Sequence, residues 1–265
     1  NDILKKITKK TKAIMTVDLK GMPVDFDDIK KKLMKYKIPL ISDSAESFGA
    51  KYKEQKVGNQ FEIHSFSFFA NKNITMGEGG LITCENNALA KKIRIIRNQG
   101  QSKRYNHIII GNNFRPTDYA AAIGIEQLKK IDSVINEKNK IAKLYNFKFK
   151  EIINIKTPYV PKYVSRHSWY MYCLRLTNKQ IRNSFLKFLK ESKIDFRLSF
   201  PPIHLQPIYK KIFKYKKNDF PISEKIFDTF VDIPCWKGMT NSQIEYITEK
   251  IIYFFCKKNE KKKTK

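Results

Sequence analysis

Residues 66–80 read Phe-Ser-Phe-Phe-Ala-Asn-Lys-Asn-Ile-Thr-Met-Gly-Glu-Gly-Gly. This run sets the Ser67 hydroxyl near the end of an aromatic strand, Lys72 shortly after it, and Gly77, Gly79 and Gly80 beyond. Glycines let a backbone approach a ligand closely or take positive φ. A lysine held at such a turn, partly desolvated, can add to a carbonyl and form a Schiff base. Three further places carry groups of chemical interest. Asp43 ends an apolar run, with Glu46 one turn on. Asn113 and Arg115 lie in Gly-Asn-Asn-Phe-Arg, and His204 lies in Phe-Pro-Pro-Ile-His. Each group has a plainer reading. Asp43 can cap a helix, Ser67 can pack within its strand, and His204 can be a core histidine.

These groups need a scaffold, and the first half of the chain alternates strand-like and helix-like segments. Strands are expected at Ala13 to Val17, Pro39 to Ser42 (ending at Asp43), Phe61 to Phe68 and Leu81 to Cys84. Helices are expected at Phe26 to Lys35, with Asp27 and Asp28 in the first turn, and at Asn87 to Arg97. The stretch opening at Asn1 is charged and leads directly into the first strand. From Thr117 the spacing of Ala121, Ile125, Leu128 and Ile131 is helical, and the signal resumes from Val134 to about Phe149. Thr157 to Arg166, with two prolines, reads as a connection. A strand (Trp169 to Leu176), a helix (Lys179 to Lys190), a short strand (Ile194 to Leu198) and a last helix (Ser242 to Phe255) follow. The charged tail, Lys257 to Lys265, is expected to be solvated and frayed. The expected class is α/β with helices on the faces of a sheet. A large domain spans 1–133. A smaller α+β domain, with its connecting helix, spans 134–265.

Composition narrows the function classes. Hydrophobic residues are 42% of 265, enough to build a core and exclude wholesale disorder. The net charge is +28, yet only eight of the 53 basic residues are Arg. A surface built to grip phosphates uses more Arg, and no basic stripe with interleaved aromatics is evident. The excess therefore reads as compositional bias before nucleic-acid binding. Cys84, Cys173, Cys235 and Cys256 form no Cys-x-x-Cys pair or zinc spacing. They read as packed thiols in a reducing compartment, the cytoplasm, with no metal site. The longest apolar runs are too short to cross a bilayer.

The run 66–80 resembles the lysine motif of the DegT/DnrJ/EryC1/StrS family of PLP-dependent sugar aminotransferases. Ile-Ser-Asp-Ser-Ala-Glu-Ser-Phe-Gly-Ala (41–50) is similar to the family's acidic strand end. Residues 111–128 are similar to its Gly-x-Asn-x-Arg segment and following helix. Phe-Pro-Pro-Ile-His-Leu-Gln-Pro-Ile-Tyr (200–209) is similar to a motif of perosamine-synthase-like members. The four lie in the family's order. Glu46 stands where many members have Gln, as in the perosamine branch. Lys72 in place of His separates the chain from the dehydratase branch.

The resemblance implies fold type I, with an incomplete large domain, and a pyridoxal 5'-phosphate cofactor. It implies that Lys72 links covalently to the cofactor and moves the substrate proton. Asp43 would pair with the pyridinium nitrogen, Ser67 would bind the phosphate, and Glu46 would lie among the cofactor-binding residues. Asn113 would reach the cofactor phosphate of the neighbouring subunit in a homodimer, Arg115 the donor carboxylate, and His204 the substrate. The reaction implied is amino transfer from a donor, glutamate by expectation, to the 4-keto group of a nucleotide-linked deoxysugar for surface polysaccharide. Family members carry a segment before the region matched by Asn1. That segment holds a phosphate-binding Gly/Thr loop and a ring stacked on the pyridine. The sequence lacks both, so weak PLP retention by this chain alone is expected. A non-catalytic regulator or partner subunit of the same fold is the alternative, and a nucleic-acid binder the more distant one.

Overall fold

The computed structural model describes residues 2–263. The chain divides into two units, Asn1–Asn136 with Val160–Tyr170, and Glu137–Tyr159 with Met171–Lys265.

The first unit opens with a short helix, α1 (Asp2–Lys6), where the sequence suggested a charged lead into a strand. Then come β1 (Ile14–Val17), α2 (Phe26–Leu33), β2 (Leu40–Asp43) and the hairpin β3 (Lys51–Tyr52) and β4 (Gln55–Lys56). β5 (Ile63–Ser67), β6 (Gly80–Thr83) and α3 (Asn87–Arg97) follow. The strand order is β1-β2-β5-β6. β1, β2 and β5 run parallel, so Val17, Asp43 and Ser67 all mark the same end of the sheet. In open α/β sheets that carboxyl end is where ligands bind. β6 returns antiparallel to β5, bringing Gly80 opposite Ser67.

The helices form where caps and periodicity agree. Asp25 accepts the Asp28 N–H at the start of α2, which buries Phe26 and Leu33. Asn86 accepts the Leu89 N–H at the start of α3. Phe26 is the centre of the core. It meets the rings of Phe61 at 4.9 Å, Tyr52 at 5.1 Å and His64 at 5.5 Å, all edge-on. Edge-on pairs of this kind add about 0.5–1.5 kcal/mol each beyond area burial.

Beyond the ribbon β7 (Gln101–Lys103) and β8 (Asn106–His107) lie α4 (Asp118–Leu128) and α5 (Ile131–Phe149). Two short strands follow, β9 (Ile155–Lys156) and β10 (Val164–Arg166). The sequence read 157–166 as a plain connection within the second domain. Instead β10 pairs antiparallel with β3. Arg166 donates to the Gly49 carbonyl at 2.8 Å and to the Asp132 carboxylate at 2.6 Å. These bonds explain why residues 160–170 group with the first unit rather than with 134–265.

The second unit continues with β11 (Tyr172–Leu176), α6 (Lys179–Glu191), α7 (Pro207–Phe213) and α8 (Pro221–Thr229). It closes with β12 (Phe230–Ile233) and α9 (Asn241–Lys263). Its sheet has the antiparallel order β12-β11-β9. Tyr145, Tyr172, Leu174, Phe185, Ile251 and Phe255 are fully buried around it. The strand expected at Ile194 to Leu198 reduces to one bridge, Arg197 with Asp232. Lys193, just before it, takes a left-handed φ of 53° where α6 ends. α9 runs beyond Phe255 to Lys263, because Lys and Glu favour helix. The solvation expected of the tail side chains, Lys257 to Lys265, lies outside the described residues. Cys235 is buried as expected, whereas Cys256 is exposed.

Candidate active site

Lys72 sits in a loop that its own backbone closes. Phe68 N–H donates to Gly79 O and Met76 N–H to Phe68 O, both at 2.8 Å, and Lys72 N–H donates to Phe69 O at 3.0 Å. Gly77 supplies a φ of 76°. A Cβ on Gly79 would come within 2.8 Å of the Met76 sulfur. These two glycines therefore shape and pack the loop itself. The positive φ at Gly77 is one of the two roles the sequence suggested for these glycines; the packing of Gly79 on Met76 is the part it did not announce.

Glu46, Phe48, Ser67, Lys72, Ile74 and Tyr170 line a small, narrow recess. The Lys72 amine lies 4.0 Å from Glu46 Oε1 and 4.3 Å from the centre of the Tyr170 ring. Both charged side chains are largely covered, at 14% and 12% exposure. Glu46 Oε2 accepts the Lys20 N–H at 2.6 Å. Segment 168–170, which returns to this unit from far along the chain, closes the recess. Ser168 Oγ donates to Glu46 O at 3.0 Å, Asn73 Nδ2 donates to Ser168 O at 2.7 Å, and the Tyr170 hydroxyl donates to Asn71 Oδ1 at 3.1 Å. The approach is tight. A Cβ on Gly21 would come within 2.6 Å of Ser168 Oγ and 2.8 Å of the Trp169 and Tyr170 nitrogens.

Asp43, at the tip of β2, turns one oxygen to the Ala45 N–H at 3.1 Å. Its other oxygen has no hydrogen-bond partner among the described residues. Ser67 accepts the Phe69 N–H at 3.3 Å, and its own proton has no acceptor among them. Asp43 does not line the recess, whereas Ser67 does.

A buried polar set flanks Asp43. Asp18, following β1, is fully buried and donates its N–H to Asp43 O at 2.9 Å. Asp18 Oδ2 accepts hydroxyls from Ser44 (2.8 Å), Ser47 (2.9 Å) and Ser42 (3.2 Å), and Oδ1 accepts the Val24 N–H. Phe61 N–H donates to His64 Nε2, which assigns the ring proton to Nδ1, directed at Ser44 Oγ 3.0 Å away. Burial is the main force that pushes His64 down to about 4, helped by the charge of Lys30. Burial also raises Asp18 above the usual carboxylate range, against the pull of its four hydrogen bonds.

Sequence reasoning missed Asp18, Ser44, Ser47, His64 and Tyr170. One signal was present: Ser42 and His64 occupy inward positions of β2 and β5, and inward polar side chains require buried partners.

The remaining candidates lie elsewhere. Asn113 bridges to Asn98 through its backbone and accepts the Arg115 Nε–H at 3.1 Å. Both are exposed, and neither lines the recess. His204 is buried within the second unit, with Nε2 3.1 Å from Glu224 Oε1 and its ring 4.8 Å from that of Phe220.

The chain is similar along most of its length to known proteins. It is 34% identical over 260 residues to GDP-perosamine synthase of Escherichia coli O157:H7, covering 97% of this chain and 70% of that protein. It is 38% identical over 253 residues to an uncharacterized protein of Methanocaldococcus jannaschii, covering 90% of this chain and 65% of the relative. The chain thus spans about two thirds of the length of these relatives. The solved structure of Spr1654 from Streptococcus pneumoniae in its PMP form superposes with a TM-score of 0.90 at 25% identity, over 99% of this chain and 72% of that one. The fold is accordingly fold type I. The sequence matches a family description over residues 1–252, and the chain belongs to the DegT/DnrJ/EryC1/StrS aminotransferase family.

Proposed function

We propose that this chain carries the lysine-bearing site for PLP-dependent transfer of an amino group to the keto group of a nucleotide-linked sugar. The observation that carries this reading is the largely covered Lys72 amine in a recess at the carboxyl end of parallel strands, beside Ser67. The donor set suits the cofactor. An amine suits its aldehyde, a serine hydroxyl with an uncommitted proton suits its phosphate, and a carboxylate with one uncommitted oxygen suits its ring nitrogen. PLP, when bound, supplies an electron sink, which a carboxylate at the ring nitrogen sustains.

The chain's own residues divide the remaining work. Asp43 holds the ring nitrogen protonated, and Ser67 orients the phosphate. Lys72 Nζ first holds the cofactor, then takes a proton from one carbon and gives it to another. Asn113 and Arg115, exposed and away from the recess, suit service to a partner subunit's site in a homodimer. Arg115 there would bind the donor carboxylate. His204, held by Glu224 in the second unit, is the candidate substrate-binding residue there. Similarity to a GDP-perosamine synthase favours a GDP-linked sugar as acceptor. A 4-keto deoxysugar, glutamate as donor and a cytoplasmic setting complete the reading.

The test is transfer of 15N from labelled glutamate to a GDP-linked 4-keto-6-deoxysugar, read by mass spectrometry of the sugar nucleotide. A labelled amino sugar that depends on Lys72 is expected. Bound PLP with no transfer to any keto sugar nucleotide would replace this reading with a non-catalytic one.

A further inference from the structure

We propose that the face of the Tyr170 ring, with the Glu46 carboxylate beside it, is a seat that holds the Lys72 side chain in its free, protonated form. The ring centre lies 4.3 Å from Nζ, well inside the ~6 Å range over which an aromatic face attracts a cation. Glu46 Oε1 stands at 4.0 Å, and the low exposure of both partners strengthens each attraction relative to a solvated pair.

The seat is built rather than incidental, because each component is fixed by other contacts. The Tyr170 hydroxyl is tied to Asn71, in the same loop as Lys72. Its neighbour Trp169 is buried with a left-handed φ of 47°, a conformation a bulky residue keeps only where its surroundings impose it. Those surroundings are the His167 ring stacked at 4.0 Å, the Trp169 N–H donated to His167 Nδ1 at 2.9 Å, and the close approach that Gly21 allows. Glu46 is held by the Lys20 N–H, and its backbone by Ser168.

The consequence for catalysis rests on the amino-transfer reading. Once Lys72 is released from its covalent link, Nζ forms a new N–H bond as a substrate C–H bond breaks, and the carbon keeps the electron pair. The resulting ammonium rests between Tyr170 and Glu46 until it returns the proton. Tyr170 is then a positioning residue for the proton carrier.

The seat itself can be tested without cofactor. The PLP-free full chain would be dimethylated on its lysines with 13C-formaldehyde, which preserves their charge. The Lys72 resonance would be assigned by its loss in Lys72→Arg. An upfield ring-current shift relative to the solvated lysines is expected. Tyr170→Phe should keep the shift and Tyr170→Leu should abolish it. A Lys72 resonance among those of the solvated lysines in the unsubstituted protein would overturn the seat, and that comparison needs no variant to fold. In the loaded protein, Tyr170→Leu should lower kcat about tenfold with the donor KM held within about twofold. A rise in KM at constant kcat would overturn the role in proton transfer. A ring-current shift without any PLP capture would leave the seat standing and sink the amino-transfer reading alone.

Discussion

In the first unit the buried ionisable groups Asp18 and His64 belong to one hydrogen-bonded set with Ser42, Ser44 and Ser47, flanking Asp43. In the second unit the buried pair Lys138 and Cys235 lies among aromatic packing, with Tyr145 and Tyr172 nearby. Burial there lowers Lys138 to about 8 and raises Cys235 to about 11, moving both towards their neutral forms. Burial favours the neutral form in both units, but in the first the ionisable groups share one network of serine hydroxyls and backbone N–H groups. A satisfied polar network of several side chains fixes one geometry. The geometry-fixing kind of burial adjoins the strand tip that carries Asp43.

That contrast can be broken by substitution. The largest effect expected is in Asp18→Ala, which leaves the Ser42 hydroxyl and the Val24 N–H without an acceptor, while Ser44 and Ser47 keep Ser42 Oγ and Ser44 O. At about 1–3 kcal/mol for each unsatisfied buried group, a loss of about 2 kcal/mol or more is expected in urea unfolding. Lys138→Met, which keeps the volume and removes one chargeable group rather than the centre of a network, should cost less than Asp18→Ala. Equal losses in the two variants would erase the distinction between the units.

A pH titration sharpens the same comparison. His64 is depressed in the folded state, so its contribution is present above the unfolded value of 6.5 and lost as pH falls towards about 4. Across that window stability should fall by up to about 1.4 kcal/mol per pH unit, and His64→Gln should flatten the slope. Asp18 acts with the opposite sign. Its raised carboxyl contributes stability below 3.8 that is lost as pH rises through its folded value. An unchanged slope in His64→Gln would remove His64 from the account. The smallest effect expected is in Tyr170→Phe. It loses the hydrogen bond to Asn71, about 1 kcal/mol, and should leave kcat within about threefold.

Local signals made much of the fold legible. The Asn86 cap and the helical spacing after it give α3 its observed bounds, and the apolar runs give β1, β2 and β5. Elements set by distant partners were not legible. β10 exists because Val164 and Arg166 meet β3 more than a hundred residues earlier. β12 exists because it pairs with β11. α8 opens on Pro221 after Phe220, with no side-chain cap to announce it. The site divides in the same way. Ser67, Glu46 and Lys72 lie close in sequence, were named from it, and meet in the recess. Tyr170 comes from beyond a long excursion into the second unit, and only the fold brings its ring to Lys72.

The central claim is that Lys72 is the cofactor-bearing lysine. The most direct measurement is borohydride reduction of the chain with saturating PLP, followed by peptide mass mapping of the chain and of Lys72→Ala. A single phosphopyridoxyl adduct on the peptide containing Lys72, absent from the variant, is the result expected. Adducts spread over many lysines, and unchanged in Lys72→Ala, would contradict the claim.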